Sequence, residues 1–206
     1  MSLKTIRLVL YVAIVVLLLI GGGFYATSAY FGVDSRSGLL LPATSAIGGP
    51  FTLTDQTGRT VTEKDLLGHP SLVFFGYTFC PDVCPTTLAE ATDWLQTLGP
   101  DAKGLRVYFV TVDPERDTPA KLAEYLSVFD HRILGLTGTA EQTAAIMKAY
   151  RVFARKVPQA GSADYLMDHS AAVYMMDPQG RFVGALTYQE ATDKALAKLK
   201  DLIGRS

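Results

Sequence analysis

The feature of this sequence that most limits its fold is an unbroken apolar and aromatic run at residues 72–77. A run without alternating polar residues is typical of a strand that is buried on both faces of a parallel sheet. Apolar residues at helical spacing follow it, and Gly99 and Pro100 then stop the predicted helix. The segment between them, FCPDVCP at positions 79–85, holds both cysteines of the chain and is therefore expected at a strand–helix junction.

Strands and helices alternate along the chain from residue 51 onward. We predict, in order, a hairpin within 51–62, the strand at 72–77 and its helix, a strand at 105–112, a helix starting at Thr118 and Pro119, a strand at 133–136, a helix after Thr139, a hairpin within 171–186, and a last helix at 190–203. Such an order indicates an α/β fold with parallel central strands joined by right-handed crossovers. It is the order of a thioredoxin-like fold, a central mixed sheet flanked by helices, with an added N-terminal β-hairpin.

Residues 6–25 are apolar apart from Arg7, their only charge. About 18 or more apolar residues suffice to cross a bilayer as a helix, so we predict one transmembrane anchor here. Because Lys4 and Arg7 lie at its N-terminal end, the positive-inside rule leaves residues 1–5 in the cytoplasm. A cleaved signal peptide is the alternative, although its apolar core is usually shorter, about 7–15 residues.

Residues 26–50 are rich in Gly, Ser and Pro and are predicted to form a tether to a globular domain at residues 51–206. This order places the domain outside the cytoplasm, in the periplasm, with the anchor in the inner membrane. That compartment permits a disulfide. The formal net charge is −1 and the basic residues form no stripe with aromatic residues, so no nucleic-acid partner is expected.

The two cysteines, Cys80 and Cys84, allow three interpretations: a structural disulfide, a redox pair, or two thiolates of a metal site. Pro85 fits the first turn of a helix, so Cys84 is expected at or next to the N-cap and Cys80 in the preceding loop. A helix N-terminus stabilises negative charge, so we expect a lowered pKa for both thiols. A disulfide across so short a loop constrains the unfolded chain little, and two sulfurs with few histidines do not complete a structural zinc site.

Three histidines, His69, His131 and His169, are candidates for a further ligand. The first two are expected in exposed turns. His169 follows a polar loop at 159–164 and precedes the strand predicted at 171–176. In the thioredoxin topology the loop that enters this strand lies against the cysteine-bearing junction, so we expect His169 to reach both thiols.

Two thiolates and one imidazole form a soft, incomplete ligand set. It suits copper, because sulfur prefers Cu(I) and imidazole helps to hold Cu(II). The open coordination position also suits a metal that is handed on to another protein. We therefore expect one copper ion per chain at Cys80, Cys84 and His169, with Asp168 as a candidate to orient the imidazole.

Three segments resemble the signature segments of the SCO/SenC family: FFGYTFCPDVCPTTL at 74–88, TVDPERDTP at 111–119 and DHS at 168–170. Members of this family are membrane-anchored, thioredoxin-like copper proteins that help to assemble the copper site of cytochrome c oxidase. The resemblance carries the family copper ligands onto Cys80, Cys84 and His169. It implies a metallochaperone, not an enzyme, that delivers copper to subunit II of the oxidase, reduces the cysteines of that subunit, or both.

The resemblance also bears on neighbouring residues and on partners. Residues 113–115 match an acidic loop near the family site, with a solvated turn as the alternative interpretation, and Phe79 stands where some relatives carry His. The implied partners are the copper-binding domain of subunit II, an upstream copper chaperone and a thioredoxin-like reductant. A thiol–disulfide oxidoreductase is the competing function. His169 separates the two, because disulfide exchange needs only the two cysteines whereas copper retention needs the imidazole as well.

Overall fold

The structure, a computed structural model, describes residues 47–159, 161 and 164–205. Within these residues no helix combines the length and the apolar character needed to span a bilayer. The anchor predicted at residues 6–25 lies outside the described part of the chain, as does the predicted tether up to residue 46.

The described residues form nine strands and four α-helices. The strands are β1 (Thr52–Asp55), β2 (Thr60–Thr62), β3 (Ser71–Gly76), β4 (Arg106–Thr111), β5 (Ile133–Thr137), β6 (Ala154–Pro158), β7 (Tyr165–His169), β8 (Val173–Met176) and β9 (Phe182–Leu186). The helices are α1 (Val83–Leu98), α2 (Pro119–Leu126), α3 (Ala140–Tyr150) and α4 (Thr192–Ile203). Short 3-10 helices occupy Glu63–Leu66 and Gly99–Gly104.

Seven of the strands form one mixed sheet in the order β2-β1-β5-β4-β3-β8-β9. The central strands β3, β4 and β5 are parallel, whereas the hairpins β1–β2 and β8–β9 are antiparallel. The predicted α/β, thioredoxin-like fold with a central mixed sheet and an N-terminal hairpin is therefore confirmed. Strands β6 and β7 form a separate antiparallel pair.

The strand that leads to the cysteines is held by the core on both faces. All six residues of β3 are buried, which explains the absence of polar alternation in its sequence. Phe74, Phe75 and Phe109 are each at most 1% exposed. Because fully burying a side chain of this size stabilises the fold by about 1.5–3 kcal/mol, the core fixes the end of β3 and thus the start of the cysteine loop.

The structure corrects the sequence analysis between α3 and β8. Strands β6 and β7, which were not predicted, lie on either side of the predicted polar loop at 159–164 and form a hairpin in which Ala154 pairs with His169 and Pro158 with Tyr165. His169 is thus the last residue of a strand and not part of a loop. The strands were missed because they are five residues each, largely half-buried or exposed, and interrupted by charged side chains.

Candidate metal centre

The two cysteines lie on either side of the start of α1, as expected. Cys80 is half-buried in the loop after β3, and Cys84 is the second residue of the helix and is fully buried. Pro85 follows in the first turn. Backbone N–H groups there have no intrahelical acceptor, so the missing N–H of proline costs no hydrogen bond. The backbone N–H of Cys84 donates to the Sγ of Cys80 over 3.4 Å. The helix N-terminus therefore points a hydrogen-bond donor at the more exposed sulfur.

Strand β7 brings His169 to the same place. Its Nε2 lies 3.7 Å from the Sγ of Cys84, and the two sulfurs and a ring nitrogen all lie within 4.8 Å of one another. Metal bonds of about 2.3 Å to sulfur and about 2.0 Å to nitrogen separate such donors by about 3.5–4 Å. The three atoms are therefore close to the spacing that a single shared ion requires.

The imidazole of His169 is oriented by its neighbours. Its Nδ1 lies 2.9 Å from the carbonyl oxygen of Ser170. Because a carbonyl only accepts, Nδ1 donates to it, and Nε2 is the ring nitrogen that faces the sulfurs. The ring of Tyr77 meets the imidazole edge to face, with centroids 5.8 Å apart.

Asp168 does not orient the imidazole, so that suggestion of the sequence analysis was wrong. Its carboxylate pairs with the guanidinium of Arg155 at 3.1 Å on the exposed side of the hairpin. Consecutive side chains of a strand point to opposite faces. His169 faces the protein, and its neighbour Asp168 therefore faces away.

The two thiols differ in acidity. The pKa of Cys80 is lowered to about 4, chiefly because its sulfur accepts a hydrogen bond from the Cys84 thiol; burial opposes this shift and His169 adds to it. The pKa of Cys84 is raised, because its thiol donates to Cys80 and because it is buried. The expected lowering of both pKa values was therefore wrong for Cys84. In the metal-free site the hydrogen bond between the two thiols and the burial of Cys84 therefore favour the thiolate on Cys80 and the proton on Cys84.

Gly76 is a residue of the site that the sequence analysis missed. A Cβ at this position would lie 2.6 Å from Cε2 of Phe109 and 2.8 Å from Sγ of Cys84. Neither the packed ring nor the short thiol side chain can retreat without disturbing a close-packed core. Gly76 therefore leaves open the space that the Cys84 sulfur occupies. The available signal was a glycine inside a strand, which often marks a close approach.

Asp117 is a second residue of the site without a role predicted from sequence, although it lies within the segment at 111–119 and directly precedes the predicted helix. It is fully buried, and its carboxylate accepts hydrogen bonds from the N–H and hydroxyl of Thr78 at 3.1 and 2.6 Å and from the hydroxyl of Thr111 at 2.6 Å. Burial raises the pKa of Asp117, and these hydrogen bonds oppose that shift. The carboxyl group connects the loop that carries Cys80 to the end of β4.

The acidic loop after β4 begins with Asp113, which is buried, so the solvated turn considered as an alternative does not apply to this residue. Asp113 is 1% exposed, accepts a hydrogen bond from the hydroxyl of Tyr165 at 2.8 Å, and pairs with Arg116. No carboxylate joins the three-donor group among the described residues. Phe79 is 49% exposed, and the centroid of its ring lies 4.5 Å from the guanidinium carbon of Arg116.

The other two histidines lie apart from the three-donor group. The side chain of His131 is 92% exposed, with its Nδ1 3.7 Å from the Asp130 carboxylate. His69 is half-buried in the turn before β3. The structure therefore brings together Cys80, Cys84 and His169, and none of the remaining histidines.

The sequence matches known proteins over most of its length. The family model SCO1/SenC matches residues 41–204. The chain is 45% identical over 164 residues to the mitochondrial protein SCO1 of Saccharomyces cerevisiae, covering 77% of this chain and 56% of that protein. It is 45% identical over 144 residues to the protein SenC of Rhodobacter capsulatus, covering 68% and 63%. The chain thus spans less than two thirds of the length of these curated relatives.

Solved structures give the same result. ScoI of Bradyrhizobium japonicum with copper bound has a TM-score of 0.72 at 50% identity, covering 76% of this chain and 99% of that one. Yeast Sco1 with copper bound has a TM-score of 0.70 at 43% identity, covering 77% and 89%. BsSco, described as a member of the Sco family of cytochrome c oxidase assembly proteins, shares the fold with a TM-score of 0.61 at 23% identity, covering 79% and 96%. The family model extends over the cysteine loop, the acidic loop and the β6–β7 hairpin, and the chain therefore belongs to the SCO1/SenC family.

Proposed function

We propose that this chain is a copper metallochaperone that binds one copper ion through Cys80, Cys84 and His169. The observation that carries the proposal is the convergence of two sulfurs and one imidazole nitrogen within 4.8 Å. Sulfur ligands select Cu(I), and imidazole adds affinity for Cu(II). The copper-bound relatives from B. japonicum and yeast support the same metal for this chain.

The acidity of the two thiols defines the order of events in metal uptake. The half-buried Cys80 thiolate is the first ligand that an incoming ion meets. The Cys84 thiol then loses its proton as its sulfur joins the ion. Nε2 of His169 already faces the sulfurs and supplies the third ligand. Three protein ligands leave a position open for a ligand of the acceptor, and the ion passes on by ligand exchange.

The acceptor that we propose is the copper-binding domain of cytochrome c oxidase subunit II. Membership of the SCO1/SenC family and the description of BsSco as an oxidase assembly protein support this assignment. An upstream copper chaperone supplies the ion, and a thioredoxin-like reductant keeps the two cysteines reduced. Both are parts of the same proposal.

A second function, thiol–disulfide exchange, is favoured by the arrangement of the two sulfurs. Both cysteines are free thiols, with Cys80 half-buried and Cys84 fully buried behind it. The Cys80 thiolate attacks an acceptor disulfide and forms a mixed disulfide; Cys84 then attacks the Cys80 sulfur. A Cys80–Cys84 disulfide forms, the Cys84 proton passes to the acceptor sulfur that leaves last, and the acceptor sulfur released first as a thiolate takes its proton from solvent.

Anaerobic transfer from the full chain to the isolated oxidase copper-binding domain separates the two functions. A metallochaperone passes one equivalent of copper to an acceptor whose cysteines are reduced. A reductase in its metal-free form generates thiols on an acceptor whose cysteines are oxidised. Cys80→Ser should abolish both reactions and His131→Ala should leave both intact. Failure of the copper-loaded chain to transfer metal to the reduced acceptor would contradict the metallochaperone function.

We also propose that residues 6–25 anchor the chain in the inner membrane, with residues 1–5 in the cytoplasm and the domain at 51–206 in the periplasm at the end of the tether at 26–50. The apolar run and the two flanking basic residues support this topology. Alkaline carbonate extraction should leave the full chain in the membrane fraction and release a variant that lacks residues 6–25. Release of the full chain as well would contradict the anchor.

A further inference from the structure

The β6–β7 hairpin carries His169 without belonging to the main sheet. In the described part of the chain, these two strands pair only with each other. Tyr165, Met167 and His169 alternate along β7 and therefore share one face. Met167 packs against the core, and His169 meets the sulfurs. Side-chain contacts of this face, and not hydrogen bonds to the seven-stranded sheet, thus hold the hairpin against the rest of the domain.

The Nζ of Lys156 lies 4.5 Å from the centroid of the Tyr165 ring and pairs with Glu115 at 2.6 Å, and Arg116 adds further contacts at the start of β7. Its Nη1 donates to the carbonyl of Tyr165 at 3.0 Å, and its guanidinium carbon lies 3.7 Å from the centroid of the Tyr165 ring. Its Nε donates to Asp113, whose other carboxylate oxygen accepts from the Tyr165 hydroxyl at 2.8 Å. Arg116, Asp113 and Tyr165 therefore form a closed set of contacts, here called the latch, between the hairpin and the loop after β4.

The same guanidinium also contacts the segment that carries the first cysteine. Arg116 is 17% exposed and lies 4.5 Å from the ring centroid of Phe79, the residue before Cys80, and 5.9 Å from that of Tyr77. Tyr77 in turn meets the His169 ring and is hydrogen-bonded by the backbone of Met167. One side chain thus lies between the elements that supply the thiols and the imidazole.

We propose that Arg116 is a positioning residue of the copper site: through the latch it holds β7 so that His169 faces Cys84. The proposal rests on the proposed copper site. Strand β7 has five residues, so Tyr165 lies about 13 Å from His169 at about 3.3 Å per residue, and Arg116 acts through the strand. A planar guanidinium can donate to Asp113 and to a carbonyl while its face stacks on a ring, which the ammonium of lysine cannot do.

Weakening the latch lowers the fraction of molecules in which His169 lies at the sulfurs. The apparent dissociation constant rises in proportion, so a competent fraction of about one tenth weakens Cu(II) binding about tenfold. Cu(I), which prefers the two sulfurs, loses less affinity. The ratio of the two losses distinguishes a displaced imidazole from general damage to the site.

The test compares Arg116→Met with Arg155→Met in the full chain. Arg155 lies on the outer face of the same hairpin, where it pairs with Asp168 and both side chains are more than half exposed. We expect Arg116→Met to speed amide exchange in β7 about tenfold relative to β4 and to weaken Cu(II) binding about tenfold. It should also weaken the nuclear Overhauser contact between the His169 and Tyr77 rings in the metal-free chain. Arg155→Met should change none of these.

Tyr165→Phe is a milder second variant, which keeps the test decisive if Arg116→Met does not fold. It keeps the stacked ring and removes only the hydroxyl that donates to Asp113. Its effects should have the same direction and be about threefold. Unchanged exchange, ring contact and Cu(II) affinity in these variants would overturn the proposal. Faster exchange with unchanged Cu(II) affinity would also overturn it, since Arg116 would then be only structural. If the wild-type chain bound no copper, the proposed function would fail, whereas the ring contact would still decide whether Arg116 positions His169.

Discussion

His169 Nε2 lies 3.7 Å from the Sγ of Cys84, although the two residues are 85 positions apart in the chain. The first turn of α1 fixes the sulfur, and the end of a hairpin outside the main sheet fixes the imidazole. The geometry of the site therefore depends on residues that are not ligands. Gly76 makes room for the sulfur, Asp117 holds the cysteine loop, and Arg116 holds the hairpin.

The two thiols should react at different rates and with an unusual pH dependence. Because the pKa of Cys80 is lowered to about 4, its thiolate persists at neutral pH and is lost only as the pH falls through that value. Alkylation of the reduced, metal-free chain should therefore occur first at Cys80, at a rate nearly constant between about pH 5.5 and 8. Peptide mapping by mass spectrometry measures both properties. A rate that rises about tenfold per pH unit, or earlier alkylation of Cys84, would contradict the assignment.

Gly76→Ala should destabilise the domain and weaken copper binding. The new methyl group overlaps the Phe109 ring and the Cys84 sulfur, and overpacking of this kind costs about 1–3 kcal/mol. Urea unfolding of the full chain measures the loss. Gly104→Ala is the matched control, since a Cβ there meets no described atom within 4 Å. Equal stability of the two variants would disprove the role assigned to Gly76.

Thr111→Val should cost stability because it removes a hydroxyl with two hydrogen bonds. This hydroxyl donates to the buried Asp117 carboxylate at 2.6 Å and accepts from the N–H of Asp113 at 2.9 Å. Loss of a hydrogen bond to a charged group costs about 1.5–3 kcal/mol. Thr87→Val makes the same change at a buried hydroxyl that has no hydrogen-bond partner among the described residues. It should be neutral or stabilising, and a similar loss in both variants would contradict the stabilising role of the Thr111 hydroxyl.

Much of the main sheet could be predicted because local signals agree with the tertiary structure. The continuous apolar run of β3 corresponds to a fully buried strand, and Thr118 and Thr139 cap α2 and α3 with their side chains. The turn at residues 177–180 connects β8 to β9 within the hairpin predicted at 171–186. In each case neighbours in sequence contain the decisive information.

Two features that the sequence does not predict, the β6–β7 hairpin and the raised pKa of Cys84, depend on contacts that local sequence patterns do not show. The β6–β7 hairpin lacks a clear apolar alternation, because Arg155 and Asp168 lie on its exposed face and polar contacts of Lys156 with Glu115 and of Arg116 with Tyr165 supply much of its support. The pKa of Cys84 rises because it donates to Cys80 and is buried, effects that a helix N-terminus alone does not reveal.

Anaerobic copper titration of the reduced full chain tests most directly whether Cys80, Cys84 and His169 form one site. The wild-type chain should bind one equivalent tightly, and Cys80→Ser and Cys84→Ser should each abolish tight binding. His169→Ala should weaken Cu(II) binding at least about tenfold while disulfide reduction stays largely intact. His131→Ala, at a side chain that is 92% exposed, should behave as the wild type. Unchanged Cu(II) affinity in His169→Ala, or tight stoichiometric binding by either serine variant, would contradict the three-ligand copper site.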